Sequence, residues 1–114
     1  MEECIFCKIA RHEIPAQIVY EDDEVVAFKD LNPVAPVHIL VIPKKHIPTV
    51  TSISDEDLPL VGRIMSAVKE LAQEMGAAED GFRAVVNQGR KAGQSVFHLH
   101  FHLLAGRPMS WPPG

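Results

Sequence analysis

The stretch VFHLHFHLL, Val96 to Leu104, decides how this chain is read. His98, His100 and His102 alternate strictly with Leu99, Phe101 and Leu103. Polar and apolar residues taking turns in this way predict a β-strand, whose successive side chains point to opposite faces. The three imidazoles then form a row on one face, about 6.5–7 Å apart, while the apolar residues turn to the core.

Ahead of this strand lies the loop Gln88-Gly89-Arg90-Lys91-Ala92-Gly93-Gln94-Ser95, and ahead of the loop a second strand, Phe82 to Asn87. Between Asp57 and Gly76, Val61, Ile64, Met65, Val68, Leu71, Ala72 and Met75 recur at three- and four-residue spacing, which predicts a helix with one buried face. Ser54 and Asp57 compete as its cap; Pro59 favours the later start and Gly76 supplies the stop. Val37 to Pro43 is short, β-branched and bounded by prolines, as suits a central strand with a sharp end. Ile18 to Asp30 holds two β-rich segments around an acidic turn, which predicts a hairpin. Strands outnumber helices without a regular βαβ alternation. The expected fold class is α+β: a mainly antiparallel five-stranded sheet with one long helix on its face.

The 114 residues are 46% hydrophobic and 23% charged, which suits one domain, residues 1–114, with a core that needs no staples. No repeat, linker or low-complexity tract divides the chain. A net charge of −4 argues against a nucleic-acid surface, and no basic run is longer than Lys44-Lys45. The longest apolar stretch, Ile39 to Pro43, is far too short for a membrane span, and Met1-Glu2-Glu3-Cys4 opens acidic where a secretory signal opens basic. A cytoplasmic location is expected, where Cys4 and Cys7 stay reduced and available as ligands.

Three imidazoles in alternation are too many to dismiss as satisfied core residues. Neutral imidazole ligates metals and also titrates near pH 6.5, at about physiological pH, so a metal site and a nucleophilic or acid–base array both fit. The preceding loop favours the second. Gly89 and Gly93 let backbone N–H groups approach a phosphate, beside Asn87, Gln94, Ser95 and two basic residues; a plain hairpin loop is the bland alternative. Cys4-Ile5-Phe6-Cys7 is a separate signal: two thiols at this spacing supply half of a tetrahedral zinc site, completed by histidines from elsewhere. Incidental thiols and a redox pair are the alternatives, the redox pair being disfavoured because such a motif normally follows a strand and opens a helix. Iron is a weaker candidate than zinc for this ligand set. His12 reads as a solvated helix or turn residue.

The run His98-Leu99-His100-Phe101-His102-Leu103-Leu104, with Gly93-Gln94-Ser95 ahead of it, resembles the signature of the histidine-triad (HIT) nucleotide-binding proteins, in particular the Hint-like branch. The resemblance extends through Phe28-Lys29-Asp30, Pro36-Val37-His38 and Pro43-Lys44-Lys45-His46-Ile47 to the tail Trp111-Pro112-Pro113-Gly114. It implies that His100 is a nucleophile that becomes transiently nucleotidylated, supported by His102 and His38. Asn87, Gly93, Gln94 and Ser95 would hold the phosphate, and Asp30 would accept the ribose hydroxyls. Ile5, Phe6, Ile9, Phe28 and Leu31 would line the base pocket. Without the resemblance, Asp30 reads as a turn residue and these five as ordinary core.

The resemblance further implies a short N-terminal helix, zinc held by Cys4, Cys7, His46 and His98, a homodimer that joins two sheets, and Trp111 reaching toward the partner's site. The implied activity is hydrolysis of purine nucleoside 5′-phosphoramidates to a nucleoside monophosphate and an amine. Two rivals stand beside it. One is a dinucleoside polyphosphate hydrolase or nucleotidyl transferase using the same His100; the other is a zinc-stabilised nucleotide-binding or interaction module with negligible turnover.

Overall fold

Five strands pair in the order β1-β2-β3-β5-β4, every pair antiparallel. They are β1 (Ile18–Glu21), β2 (Val25–Lys29), β3 (Val37–Pro43), β4 (Phe82–Val86) and β5 (Phe101–Ala105). The helices are α1 (Ile5–Ala10), the long α2 (Leu58–Glu74) and the single-turn α3 (Ala77–Asp80). The structure, a computed structural model, describes residues 4–114; the acidic opening at residues 1–3 lies outside the described residues. The architecture is the expected α+β one.

The sheet divides the core in two. Ile39 and Val41 of β3, with Leu99 and Leu103, pack against Ile64, Val68 and Leu71 of α2 on one face. Leu40 and Ile42 of the same strand pack against Phe6 and Ile9 of α1 on the other. β3 is covered on both sides, which is why its sequence is a nearly unbroken β-branched and apolar run. The period-two alternation therefore sends every second residue of the central strands toward α1, and that face carries the candidate site.

Helix α2 begins at the predicted Asp57 cap position with Pro59 in its first turn, and Gly76 follows its end in the left-handed region at φ +72°. The Asp57 carboxylate does not cap. It accepts two hydrogen bonds from Lys45 at 2.9 and 3.0 Å. The buried stripe is Leu60, Ile64, Ala67, Val68, Leu71 and Ala72, whereas Met65 and Met75 are exposed. The two methionines lie on the helix flank, one residue beyond Ile64 and three beyond Ala72, so spacing alone overstates the width of the apolar face.

The β1–β2 hairpin closes on Asp22. Its Oδ1 accepts the backbone N–H groups of Glu24 and Val25, each at 2.8 Å, and its Oδ2 accepts from Tyr20 and Arg63 at 2.7 and 3.1 Å. Burial opposes its charge, but these four donors prevail and hold its carboxyl down to about 2. His12, exposed and at φ +61° just past α1, has a partner the sequence does not reveal: its Nε2 lies 2.9 Å from Glu21 Oε2.

The ladder of β5 begins at Phe101, not at Val96. Upstream, the backbone is held by other partners: the Leu99 N–H donates to Ile47 O at 2.6 Å, and the carbonyls of Val96 and His98 accept from side chains. The alternation of faces persists without the ladder. Leu99 and Leu103 are buried against α2, while Phe6 of α1 meets His98 and His100 edge-on.

Candidate active site and metal centre

His38 enters the site from β3 and His102 from β5, where the register pairs Leu40 with His102 and His38 with Leu104. The two histidines are thus diagonal neighbours on adjacent strands, and His38 Nε2 lies 2.9 Å from His102 Nδ1. The protons can be assigned. The Val34 N–H donates to His38 Nδ1 at 3.1 Å, so that nitrogen is an acceptor and the proton sits on Nε2. His38 Nε2–H then donates to His102 Nδ1, with Asp30 Oδ2 3.4 Å away, and His102 carries its own proton on Nε2. Burial lowers the pKa of His38, partly offset by Asp30. Burial, followed by the neighbouring His100 and His38, pushes that of His102 down to about 4. Both rings are neutral at pH 7.

His100 is buried, and its Nδ1 lies 2.7 Å from the carbonyl oxygen of His98. A carbonyl only accepts, so Nδ1 bears a proton, and in the neutral ring the lone pair is on Nε2, the tautomer in which Nε2 can act as a nucleophile. His100 and His102 sit with ring centroids 5.1 Å apart at the inner wall of a cleft of about 350 Å³.

The same cleft gathers Ile5, Phe6, Ile9, Phe28, Asp30, Leu31, Asn87, Gly93 and Ser95 from the expected set. The apolar five divide. Phe6, Ile9 and Phe28 form a buried floor, whereas Ile5 and Leu31 are 48% and 91% exposed and form a rim, an arrangement suited to a flat aromatic ligand rather than to a closed core. Asp30 serves both readings: Oδ1 accepts the Asn32 N–H at 2.7 Å as a turn residue, while its other oxygen faces His38. Gly93, at φ +99°, adopts a conformation that side-chain-bearing residues rarely take and opens the loop toward the cleft. Pro15, Ala16, Lys29, Asn32, Leu40 and Val96 complete the lining. None of these six is among the expected residues; Leu40 reaches the cleft because it shares the face of His38 on β3.

Gln94 and the two basic residues of the loop lie away from the cleft, and the expectation for Trp111 concerns a partner subunit. Gln94 is buried and stays out of the cleft: its amide donates to Pro48 O and Val96 O at 2.9 and 3.1 Å and accepts from the Gly89 N–H at 2.9 Å. Its side chain clamps the loop and has no bond left for a phosphate. Arg90 and Lys91 lie in an exposed turn and do not line the cleft. Trp111 is 81% exposed and sits in a separate groove beside Arg83, whose guanidinium donates to Ser110 O at 2.8 Å.

Next to the cleft, the ligand atoms of Cys4, Cys7, His46 and His98 all lie within 4.8 Å of one another. Cys4 Sγ is 3.3 Å from His98 Nδ1, Cys7 Sγ is 3.3 Å from His46 Nδ1, and Cys7 Sγ is 3.6 Å from His98 Nδ1. A tetrahedral centre with metal–sulfur and metal–nitrogen bonds of about 2.3 and 2.05 Å sets S and N about 3.6 Å apart. The four donors fit a metal. His98 Nε2–H donates to Pro43 O at 2.8 Å, which fixes the tautomer that turns a lone pair toward the sulfurs. Burial pushes His98 down to about 4 and lowers His46, keeping both imidazoles in the ligating form. Burial, followed by the neighbouring Cys4, raises the Cys7 thiol.

Fold and site together define a small α+β protein with a buried imidazole on the inner wall of an amphipathic cleft and a cysteine–histidine cluster next to it. Residues 11–109 match the HIT domain family, and the chain belongs to that family. It is 56% identical over 113 residues to a HIT-like protein of Synechocystis sp. PCC 6803, covering 99% of this chain and 98% of that one. It is 51% identical over 108 residues to the purine nucleoside phosphoramidase of Escherichia coli K12, covering 95% of this chain and 91% of the enzyme. Among solved structures, a HIT family hydrolase from Legionella pneumophila superposes with a TM-score of 0.96 at 51% identity, covering 98% of this chain and all of the other.

Proposed function

We propose that this chain hydrolyses purine nucleoside 5′-phosphoramidates to a nucleoside monophosphate and an amine, through a nucleotidyl intermediate on His100. The observation that carries this reading is the 2.7 Å bond from His100 Nδ1 to the His98 carbonyl, which sets the tautomer of the neutral ring with its lone pair on Nε2 at the cleft wall. Nε2 attacks phosphorus, a P–N(imidazole) bond forms, and the P–N bond to the amine breaks as its nitrogen takes up a proton from solvent. Water then attacks the same phosphorus, the P–N(imidazole) bond breaks, the water proton returns to solvent and the nucleoside monophosphate leaves with His100 Nε2 free again, so one difficult displacement becomes two easier ones. His102 Nε2–H supplies a donor for the phosphoryl oxygens and the departing nitrogen, held in that role by His38 and Asp30. Ser95, Asn87 and Gly93 flank the phosphate position, Asp30 meets the ribose, and the floor of Phe6, Ile9 and Phe28 takes the purine. The identity to a purine nucleoside phosphoramidase supports this substrate class over a dinucleoside polyphosphate.

Zinc is the metal we assign to Cys4, Cys7, His46 and His98. Four protein donors leave no open position, so its contribution is a rigid cross-link rather than Lewis-acid chemistry. Reduced thiols are required for this, which supports a cytoplasmic location. A homodimer through β4 is part of the same reading. β4 is a sheet edge, and Phe82, Val86 and the nearby Met65 are exposed apolar residues along it. Among the described residues no helix is long and apolar enough to cross a membrane.

The test is hydrolysis of adenosine 5′-phosphoramidate by the parent and by His100→Ala, with intact-mass analysis for an AMP adduct. The parent turns over and forms the adduct, and the variant loses activity by a factor on the order of 10³ or more. AMP binding without turnover in the parent would move the chain to the binding-module reading.

A further inference from the structure

We propose that the Cys4/Cys7/His46/His98 cluster controls nucleotide affinity as well as stability: metal bound there holds the base-facing wall of the cleft, so metal and purine nucleotide bind cooperatively. This rests on the reading of the cleft as a nucleotide site and of the cluster as a metal site. Cys4 and Cys7 are then positioning residues for the base pocket, although neither lines it.

The argument starts from the length of α1. Six residues make less than two turns, and a helix of that length has no stability of its own in water. Yet this one turn and its cap serve two sites. Cys4 and Cys7 face His98 and His46, while Ile5, Phe6 and Ile9 face the cleft. Phe6 links the two, with its ring edge-on to His98 at 5.9 Å, to His100 at 5.2 Å and to Phe28 at 5.5 Å. Without a metal, the Cys4 and Cys7 side chains meet these imidazoles only through sulfur–nitrogen contacts of 3.3 to 3.6 Å. Sulfur makes weak hydrogen bonds, so these contacts hold the turn loosely. A metal joining all four donors fixes both ends of the Cys4–Cys7 turn to β5's approach segment and to the residues after β3.

A wall that is already ordered costs the nucleotide less to bind against. Thermodynamic linkage then requires the nucleotide to tighten metal binding by the same factor. The effect is confined to the base, because the phosphate-side groups, His102, Ser95 and Asn87, come from β5, the loop and β4's end and not from α1. A second route exists in principle, from His98 through its carbonyl to His100, and it would act on the phosphate instead. The two routes predict different ligands.

The experiment is calorimetric titration of AMP and of ribose 5-phosphate into the zinc-loaded parent, the chelator-stripped parent and the stripped parent reloaded with zinc. Removing zinc weakens AMP by about tenfold and leaves ribose 5-phosphate within about twofold; reloading restores AMP. Zinc affinity, read by competition with a chromophoric chelator, tightens by the matching factor at saturating AMP. Cys4→Ser, shown to be folded by circular dichroism, holds AMP at the stripped-parent affinity whether or not zinc is added. Equal AMP affinity with and without zinc overturns the proposal. Equal weakening of both ligands overturns the assignment to the α1 wall. A parent that binds no AMP, or retains no zinc, overturns the underlying reading and the inference with it.

Discussion

His38 donates its Nε2 proton to His102 Nδ1 across 2.9 Å, and this one bond decides what His102 presents to the cleft. With Nδ1 engaged as acceptor, the His102 proton must reside on Nε2. Removing His38 frees the ring to take the other tautomer and leaves the Asp30 carboxylate without its imidazole. His38→Ala is expected to lower kcat for adenosine 5′-phosphoramidate by a factor on the order of 10², with little change in the affinity for AMP. Steady-state kinetics beside AMP titration check this. An unchanged kcat would remove His38 from the mechanism.

The depressed His102 makes stability depend on pH in a defined window. It titrates at about 4 in the fold, against about 6.5 in the unfolded chain. Between those values the unfolded state binds more protons than the native state. Stability is therefore complete above pH 6.5 and falls as pH drops toward 4, with a slope from this group approaching ~1.4 kcal/mol per pH unit. Urea denaturation from pH 7.5 to 4.5 is expected to show this fall, and His102→Asn to show a slope shallower by about one proton.

The imidazole row is legible in the sequence because alternation reports faces, and faces persist even where the hydrogen-bonded ladder does not. Leu99 is buried against α2 although the strand begins only at Phe101. The Cys4/Cys7 pair is legible as half of a ligand set, and His46 and His98 complete it in space. Backbone partners are not legible, since the carbonyls of Pro43, Pro48 and His98 accept through atoms that every residue has. Gln94 shows the same limit from the other side. A polar residue between a glycine and a serine looks available to a ligand, and only the packing reveals that its amide is already committed. Leu31 errs oppositely: an apolar residue that reads as core stands 91% exposed at the cleft rim.

Gln94 therefore belongs to stability. Gln94→Ala leaves the Gly89 N–H and the carbonyls of Pro48 and Val96 without their partner, a change expected to cost about 1–3 kcal/mol. The urea midpoint should fall accordingly, and the loop from Gly89 to Val96 should exchange its amide hydrogens faster. An unaltered midpoint with weakened AMP binding would instead return Gln94 to the phosphate site.

Asp22 carries the acid-sensitive end of the stability profile. Four donors hold its carboxyl at about 2, below the unfolded value of about 3.9. A depressed carboxylate stabilises the fold above its unfolded pKa and loses that contribution as pH falls toward 2. Asp22→Ala is expected to cost about 1–3 kcal/mol at pH 7, because the Glu24 and Val25 amides and the Tyr20 hydroxyl lose their acceptor. The difference between parent and variant should shrink below pH 3, which thermal melts at matched ionic strength measure.

The β4 edge supplies the last test. A strand paired on one side only presents free backbone donors and acceptors, and Phe82, Val86 and Met65 add exposed apolar surface beside it. A second copy of β4 would satisfy both at once, extending each sheet across a two-fold axis. The parent is then expected to sediment at twice the 12.6 kDa chain mass, and Phe82→Glu at the chain mass, because charges facing each other across the axis repel in a dry contact. Circular dichroism should show the variant folded, since Phe82 is 42% exposed and contributes little to its own core. A parent that sediments as a single chain would set the dimer aside and leave Phe82 to be explained by another partner.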